Sequence, residues 1–363
     1  MQFEQETLQL DRKSIFAYVQ VMLANNAGAP REVASERVRV ADLREAWDAA
    51  RRVPGWDGNI AAIASLSGGI TNRNFVVRLN EPRGAVRRLD SFQARVPDTY
   101  VLRLCGKDTA LLGINRHVEF AAATRAAELG FAPPVEDFLE PEGYLVTGFV
   151  EASPVPELSV DDVMAQVGSI LRKTHAGPKL ASDFDCFGIA ARYEKTAKKR
   201  KVSVPVELVR AQMVSAQIAS AFSVHPEALV PAHNDLLNAN FMRDRVGRVW
   251  LIDWEYAGMN SRWFDLGNLA TNHEMDGWGR DALLQAYAGS VTPGGRARIT
   301  LMMVMSDLRE AMWGVVQQAI STLEVNYVEY AGRHFERLLT NASTPEFTQA
   351  LADTRAFPPP SLL

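Results

Sequence analysis

Residues 233–241 read H-N-D-L-L-N-A-N-F, and residues 249–256 read V-W-L-I-D-W-E-Y. The first segment carries a carboxylate, Asp235, and an amide, Asn240, between apolar residues. The second is an apolar run that delivers one further acid, Asp253. Apolar runs on either side of a short polar segment are typical of a β-hairpin. The pattern therefore predicts a hairpin that carries acids and an amide at its ends.

Such a set supplies the groups that phosphoryl transfer needs. That reaction requires a residue to accept or orient the nucleophile's hydroxyl, together with oxygen ligands for Mg²⁺. His233, Asp235 and Asn240 match the spacing H-x-D-x-x-x-x-N, which protein kinases also use ahead of a metal-binding Asp. Asp235 alone would be interpreted as a capping residue in a polar turn. The complete set, with Asp253 after the strand, favours phosphoryl transfer.

Bulk properties are those of a soluble globular protein. The chain has 363 residues, of which 47% are hydrophobic and 23% charged, enough for two domains or lobes. Its net charge of −4 does not suggest a nucleic-acid partner. The first 13 residues lack the pattern of a signal peptide, and no apolar stretch approaches the roughly 20 residues of a membrane span. With only two cysteines, both interpreted as free thiols, the chain is expected to be cytoplasmic, without membrane insertion.

The chain changes character near residue 150. Residues 60–150 predict a small lobe of about five strands and one helix. The Pro-rich segment 151–157 is the best candidate for a linker. Helical patterns dominate beyond it, over 159–175, 190–200, 205–223, 264–273, 279–289, 294–322 and 325–339. The predicted boundaries are an N-terminal extension 1–40, an N-lobe 41–150, a helical C-lobe 151–345 and a C-terminal tail 346–363.

The sequence resembles the choline/ethanolamine kinase family, most closely the bacterial choline kinases, within the aminoglycoside-phosphotransferase and protein-kinase-like superfamily. The resemblance covers about residues 50–340. It rests on segments that occur in family order: 66–75, 101–106, 233–241, 251–270 and 313–336. The run from Ile252 to Asn268 is the most specific of these. The resemblance implies an α+β, protein-kinase-like bilobal fold, with a mostly antiparallel sheet in the small N-lobe and a larger helical C-lobe.

The resemblance also implies roles for individual residues. Asp235 would be the catalytic base, and Asn240 and Asp253 would hold Mg²⁺ or Mn²⁺. ATP would be bound by a glycine loop, by an arginine on a strand with its glutamate partner on the next helix, and by a hinge residue. The loop residues are Ser67, Gly68, Gly69, Thr71 and Asn72; the pair is Arg103 and Glu119; the hinge residue is Phe149. The residues expected near the acceptor alcohol are Glu255, Tyr256, Asn272, Glu310, Trp313 and Tyr330.

The implied reaction moves the γ-phosphoryl group of ATP to the hydroxyl of a small amino alcohol, with choline as the first expectation. Eukaryotic relatives usually carry an aromatic residue three positions before Trp313, where this chain has Glu310. Ethanolamine, thiamine, an aminoglycoside or a sugar therefore stay open as acceptors. A non-catalytic nucleotide-binding protein is the alternative from another class, and Trp313 and Tyr330 could simply pack a helical core. A homodimer, the role of residues 1–40 and the role of the Arg-bearing insert 81–98 are left open.

Overall fold

A five-stranded antiparallel sheet forms the first part of the fold. The structure is a computed structural model, and it describes residues 40–66, 72–81, 95–155, 158, 161–321 and 325–360. The sheet has the order β1-β2-β3-β5-β4, and every neighbouring pair is antiparallel. Its strands are β1 (Ile60–Leu66), β2 (Arg73–Leu79), β3 (Arg95–Leu104), β4 (Val135–Leu139) and β5 (Tyr144–Val150). The five or so strands predicted between residues 60 and 150 are therefore confirmed.

The N-terminal helix of this region covers one face of the sheet. Helix α1 (Val40–Arg52) places Ala46, Ala49 and Ala50 in the same core as the inward side chains of the strands. Beyond its end, Trp56 is fully buried and its ring lies 4.8 Å from that of Tyr100 on β3. The small alanine side chains let the helix approach the sheet closely. Beyond the end of the helix, the larger rings of Trp56 and Tyr100 fill the core.

A second, three-stranded sheet contains the predicted hairpin. Strands β8 (Phe241–Asp244) and β9 (Val249–Leu251) pair in antiparallel fashion, which confirms the hairpin. The third strand, β6 (Ala152–Pro154), pairs with β8 at the edge of this sheet. The segment predicted as a Pro-rich linker is thus partly a strand. Proline fits there because an edge strand need not donate every N–H group.

The remaining helices form the second part of the fold. They are α2 (Arg116–Glu128), α3 (Asp161–His175), α4 (Ile189–Lys199), α5 (Glu207–Phe222), α6 (Arg262–Asn272), α7 (Gly277–Ala288), α8 (Pro293–Ile320), α9 (Tyr327–Ala342) and α10 (Pro345–Ala356). Two short strands, β7 (Val230–Ala232) and β10 (Gly258–Asn260), pair with each other. Helix α10 lies in the range that the sequence analysis assigned to a C-terminal tail.

Helix α8 is the centre of this helical region. It is 28 residues long, begins at a Thr292 cap followed by Pro293, and is buried over most of its length. Helix α6 packs against it at Gly267, where an added Cβ atom would lie 2.5 Å from Met302. Glycine is required at this point because any side chain would push the two helices apart. The same contact brings polar residues of α6 to polar residues of α8.

The described residues fall into two compact units. The sheet unit contains the described residues up to 106, together with 130–156 and 238–252. The helical unit contains 107–129, 157–237 and the described residues from 253 onward. Helix α2 therefore belongs to the helical unit and the β8–β9 hairpin to the sheet unit. A single cut at residue 150 does not reproduce this division, because the chain returns to the sheet unit after β7.

Candidate active site

Asp265 holds the start of the 233–237 loop. One carboxylate oxygen of Asp265 accepts the backbone N–H of His233 at 2.9 Å, and the other accepts that of Asn234 at 2.7 Å. Asn234 adopts a left-handed backbone conformation with φ of 67°. Asparagine tolerates that conformation better than most residues do. The side chain of Asn234 is in turn held by Asn260, which donates to its oxygen at 2.8 Å.

Asn268, one turn further along α6, holds the next part of the loop. Its oxygen accepts the N–H of Leu236 at 2.6 Å, and its amide group donates to Ser306 on α8 at 3.0 Å. Both Asp265 and Asn268 are fully buried. The segment F-D-L-G-N at residues 264–268 thus fixes the backbone on both sides of Asp235. The sequence marks this segment as specific to the family, but the roles of its Asp and its Asn were not predicted from it.

A buried histidine completes the support of Asp265. His175, at the end of α3, lies with Nε2 3.1 Å from Asp265 and with Nδ1 2.7 Å from the hydroxyl of Tyr287. Burial alone would raise the pKa of Asp265, but its hydrogen bond with His175 and the nearby imidazoles hold that pKa below the ordinary value. Asp265 is therefore ionised at neutral pH, so that both of its oxygens can accept a hydrogen bond from a backbone N–H group.

Replacing Asp265 by Asn should disturb the loop. An amide offers one acceptor where the two N–H groups need two, so one buried donor loses its partner, at a cost of about 1–3 kcal/mol. We expect a lower melting temperature together with a lower kcat. Thermal unfolding and steady-state kinetics measure both. Asp281→Asn on α7 is the control, because that Asp is paired with Arg296 near the surface. Equal behaviour of the two variants would contradict the assigned role.

Asp235, the predicted base, is a buried carboxyl beside an arginine. It is 6% exposed, and its Oδ1 accepts a hydrogen bond from Arg309 at 3.1 Å. Burial raises the pKa of Asp235 to about 8; the Arg309 guanidinium opposes this shift, while Glu310, Asp253 and Glu255 reinforce it. A carboxyl with such a pKa is a far stronger proton acceptor than an ordinary aspartate.

Arg309 is a residue that the sequence analysis missed. It lies on α8, is 2% exposed, and its Nη1 donates to Asp235 and also to the neighbouring Glu310. Its guanidinium carbon stands 4.3 Å from the ring centre of Tyr256, within cation–π distance. The available signal was the adjacent Arg-Glu pair in the middle of a long helix, where most of the surrounding residues from 299 to 316 are apolar. Charged residues in such a position are almost never fully buried unless they are paired.

Four residues predicted to contact the acceptor come together next to Arg309. We call Tyr256, Glu310, Trp313 and Tyr330 the aromatic–carboxylate cluster. Trp313 donates its indole N–H to the hydroxyl of Tyr256 at 2.9 Å, and the hydroxyl of Tyr330 donates to Glu310 at 2.8 Å. The rings of Trp313 and Tyr330 meet at an angle of 61° with centres 5.5 Å apart. Burial would raise the pKa of Glu310, but Arg309 and its other partners hold it below the ordinary value.

The other two predicted acceptor residues have different surroundings. Glu255 is buried and accepts a hydrogen bond from Arg116 at 3.2 Å. Arg116 also donates to Glu119 on α2 at 2.7 Å, so that one guanidinium joins Glu255 to a residue predicted to serve the nucleotide site. Asn272 donates to the carbonyl of Leu236 at 3.3 Å and thus contacts the backbone of the 233–237 loop.

The predicted metal ligands offer hard oxygen donors. Asn240 ends a short 3₁₀ helix in the sheet unit, where its carbonyl accepts the N–H of Ile252 at 3.0 Å. Asp253 has a left-handed φ of 64°, which is rare for a residue other than glycine and marks a backbone held by its surroundings. No group of three or more His, Cys, Asp and Glu side chains forms a metal cage among the described residues. One carboxylate and one amide fit Mg²⁺, which commonly takes one or two protein ligands and completes its shell with phosphates and water.

The predicted nucleotide residues lie largely in the sheet unit. Arg103 is buried on β3, where it faces Asn74 of β2 and Leu145 of β5. The side chain of Asn72 accepts the N–H of Gly106 at 3.4 Å, and Phe149 lies near the end of β5. The glycine-loop residues Ser67, Gly68, Gly69 and Thr71 lie outside the described residues.

Comparison with known proteins identifies the family. The family model described as Choline/ethanolamine kinase matches residues 63–276, more than half of the chain. The chain belongs to the choline/ethanolamine kinase family. It is therefore a small-molecule kinase that acts on an amino alcohol, and the predicted family is confirmed.

Individual relatives agree with this assignment. A probable ethanolamine kinase of Arabidopsis thaliana is 24% identical over 316 residues, which cover 76% of this chain and 78% of the relative. The crystal structure of a choline/ethanolamine kinase family protein from Mesorhizobium loti is 27% identical and has a TM-score of 0.69, covering 87% of this chain and 99% of that one. A structure of LicA in complex with AMP shares the fold, with 21% identity, a TM-score of 0.60 and coverage of 81% and 94%.

These likenesses confirm the predicted α+β, protein-kinase-like fold class, and membership of this kinase family implies nucleotide binding. Throughout the part of the chain that the structure describes, no helix has the length and apolar character needed to span a bilayer.

Proposed function

We propose that this choline/ethanolamine kinase family member transfers the γ-phosphoryl group of ATP, with Mg²⁺, to the hydroxyl of choline or ethanolamine. One observation carries the proposal. Arg309 joins the buried carboxylate of Asp235 directly to Glu310 of the aromatic–carboxylate cluster. A proton acceptor therefore lies beside a cluster suited to a small cation. An amino alcohol requires this arrangement, because the hydroxyl and the nitrogen of choline or ethanolamine are only two carbons apart.

Asp235 is the proposed general base. Its carboxylate would accept the proton of the acceptor hydroxyl as the oxygen attacks the γ-phosphorus. The hydrogen bond from Arg309 orients this carboxylate, and the backbone bonds to Asp265 and Asn268 fix the loop that carries it. Preorganisation of this kind lowers the barrier because the protein does not have to rearrange during the reaction.

The charged phosphates of ATP need positive charge and hydrogen-bond donors around them. Asn240 and Asp253 would hold Mg²⁺, and the ion supplies charge neutralisation at the phosphate oxygens when it is bound. Arg103 would bind phosphate oxygens through the planar fork of its guanidinium. Asn72 and Phe149, together with the glycine-loop residues, would bind the rest of ATP. Glu119 and Glu255 would support this arrangement through Arg116.

The aromatic–carboxylate cluster would bind the cationic nitrogen of the acceptor. Ring faces attract a cation, and each desolvated contact contributes on the order of 0.5–2 kcal/mol. Glu310 adds a formal negative charge that a nearby Tyr330 hydroxyl stabilises. Once Asp235 has lost its proton, as a general base must, Asp235 and Glu310 together carry two negative charges against the single positive charge of Arg309. A monocation therefore balances the charge of this group of residues.

Turnover with a panel of acceptors tests the proposal. Purified protein is incubated with Mg²⁺, γ-labelled ATP and one acceptor at a time: ethanolamine, choline, thiamine, an aminoglycoside and a sugar. We expect rapid transfer to ethanolamine or choline and little to the larger acceptors. Transfer only to thiamine, an aminoglycoside or a sugar would contradict the amino alcohol assignment. Nucleotide binding without transfer to any acceptor would instead support a non-catalytic role.

Trp313→Phe should weaken acceptor binding selectively. The change keeps an aromatic ring but removes the N–H that fixes the hydroxyl of Tyr256, so the cluster loses its geometry. We expect KM for the amino alcohol to rise roughly fivefold to tenfold, on the scale of one hydrogen bond, while KM for ATP changes little.

Trp263→Phe on α6 is the matched control for this variant. It also removes a buried indole N–H from a bond, here to Glu227, in the same unit. Both variants should lower the melting temperature somewhat, but only Trp313→Phe should raise KM for the acceptor. If both raise it equally, Trp313 serves the helical core and not the acceptor.

A further inference from the structure

Arg309 occupies the places that a quaternary ammonium ion would need. A trimethylammonium group has no N–H, so it is held by ring faces and by carboxylates at van der Waals distance. The guanidinium of Arg309 already stands 4.3 Å from the ring centre of Tyr256. The rings of Trp313 and Tyr330 meet edge to face at an interplanar angle of 61°, so that this contact engages the face of one of the two rings as well.

Arg309 is also held too firmly to be displaced cheaply. It is 2% exposed and its Nη1 bonds to two carboxylates, those of Asp235 and Glu310. Moving it away from Tyr256 would break its bonds to two buried carboxyl groups, and breaking a buried ion pair is strongly destabilising. The face of Tyr256 is therefore closed to a bulky cation as long as Arg309 keeps these two bonds.

A nitrogen with N–H groups has another way to bind. Each carboxylate oxygen can accept more than one hydrogen bond, and the oxygens of Glu310 each have one partner, Arg309 on Oε1 and Tyr330 on Oε2. A primary ammonium could donate to this carboxylate alongside both partners. It needs no ring face and occupies much less volume than three methyl groups.

We infer that Arg309 is a specificity-determining residue that makes the acceptor site select ammonium ions with N–H groups and disfavour trimethylammonium. The inference rests on the proposed function and makes it more specific, since the preferred acceptor becomes a primary amino alcohol of the ethanolamine type and not choline. Selection of this kind is effective because an acceptor without N–H groups cannot form the hydrogen bonds that the site offers.

A methylation series tests this selection in the wild-type protein. The values of kcat/KM are measured for ethanolamine and for its N-methyl, N,N-dimethyl and N,N,N-trimethyl derivatives, the last of which is choline. We expect kcat/KM to fall along the series, by at least about tenfold between ethanolamine and choline. Equal or higher kcat/KM for choline would overturn the inference while leaving the proposed function intact. No turnover of any of the four would overturn the proposed function and the inference with it.

Variants of Arg309 identify the residue responsible. Arg309→Met keeps the length of the side chain but frees the face of Tyr256, so the ethanolamine-to-choline ratio of kcat/KM should fall at least about tenfold. Loss of the partner of Asp235 should lower kcat for ethanolamine and for choline by the same factor. This common factor cancels in the ratio of their kcat/KM values. Arg309→Lys, which keeps the charge without the planar group, should give an intermediate ratio and serves if the Met variant does not fold.

Arg298→Met is the matched control. Arg298 is a fully buried arginine on the same helix, bonded to the carbonyls of Gly294 and Phe357. Its replacement should lower the melting temperature but leave the ethanolamine-to-choline ratio at the wild-type value. An unchanged ratio in both Arg309 variants, or an equal shift in Arg298→Met, would overturn the role of Arg309.

Discussion

Asp235→Asn should lower kcat for the amino alcohol by at least about 10²-fold, the usual scale for a positioned general base. Asparagine keeps the size of the side chain and can still accept a hydrogen bond from Arg309, but it cannot take a proton from the acceptor hydroxyl. ATP binding should stay close to that of the wild type. Steady-state kinetics and a nucleotide-binding titration measure the two quantities separately.

Asp244→Asn is a suitable control for that variant. Asp244 is also 6% exposed, but it lies on β8, where it accepts a hydrogen bond from the indole of Trp250 at 3.0 Å. Its replacement should reduce stability and leave kcat within a few-fold of the wild type. A near-native kcat for Asp235→Asn would remove Asp235 from the mechanism.

The pH dependence provides a second measure of the same role. Since burial raises the pKa of Asp235 to about 8, more of the carboxyl becomes ionised as the pH rises toward that value. The wild-type rate should therefore increase with pH well above the range where an ordinary Asp titrates. Asp235→Asn should abolish this limb of the profile, whereas Asp244→Asn should retain it.

Asp253→Asn should lower turnover by at least about 10²-fold, the scale on which a single electrostatic contact to the transition state acts. Asn is preferred to Ala here because the residue has a φ of 64°, which asparagine tolerates and alanine does not. The variant should also bind ATP less tightly in the presence of Mg²⁺ than the wild type does. In the absence of a divalent ion the two proteins should bind ATP more nearly alike.

Asp185→Asn makes the same change at another Asp with positive φ in the helical unit. It controls for any effect of the substitution on the backbone, and it should leave turnover and the metal dependence unchanged. Wild-type protein should lose activity with EDTA and recover it with Mg²⁺ or Mn²⁺. Metal-independent phosphoryl transfer by the wild type would contradict the roles of Asn240 and Asp253.

Much of the architecture follows from local patterns. The alternating and apolar runs of residues 60–150 predict the five-stranded sheet because inward side chains recur every second residue in a strand. The long helices of the C-terminal half follow from the helical period and from caps such as Thr292 with Pro293. The strand at 152–154 could not be predicted, because its proline, Pro154, opposes strand formation except at an edge, and the edge exists only after β8 has folded.

In the candidate site, too, some residues can be predicted from local sequence patterns and others cannot. Asp235, Asn240 and Asp253 are close in sequence and form a recognisable spacing, so their roles can be predicted. The roles of Asp265 and Arg309 depend on contacts over 32 and 74 residues along the chain, and no local pattern encodes such contacts. Glu310 was predicted as an acceptor residue, but only the structure reveals that its neighbour, Arg309, shares its carboxylate.

Identification of the product by ³¹P NMR shows whether Asp235 promotes phosphoryl transfer to an amino alcohol. Wild-type protein, Mg²⁺, ATP and ethanolamine are incubated in parallel with Asp235→Asn and Asp244→Asn. We expect ADP and a phosphomonoester on the ethanolamine oxygen in equal amounts for the wild type, nearly as much for Asp244→Asn, and very little for Asp235→Asn. ADP with inorganic phosphate alone, or undiminished phosphoethanolamine from Asp235→Asn, would contradict it.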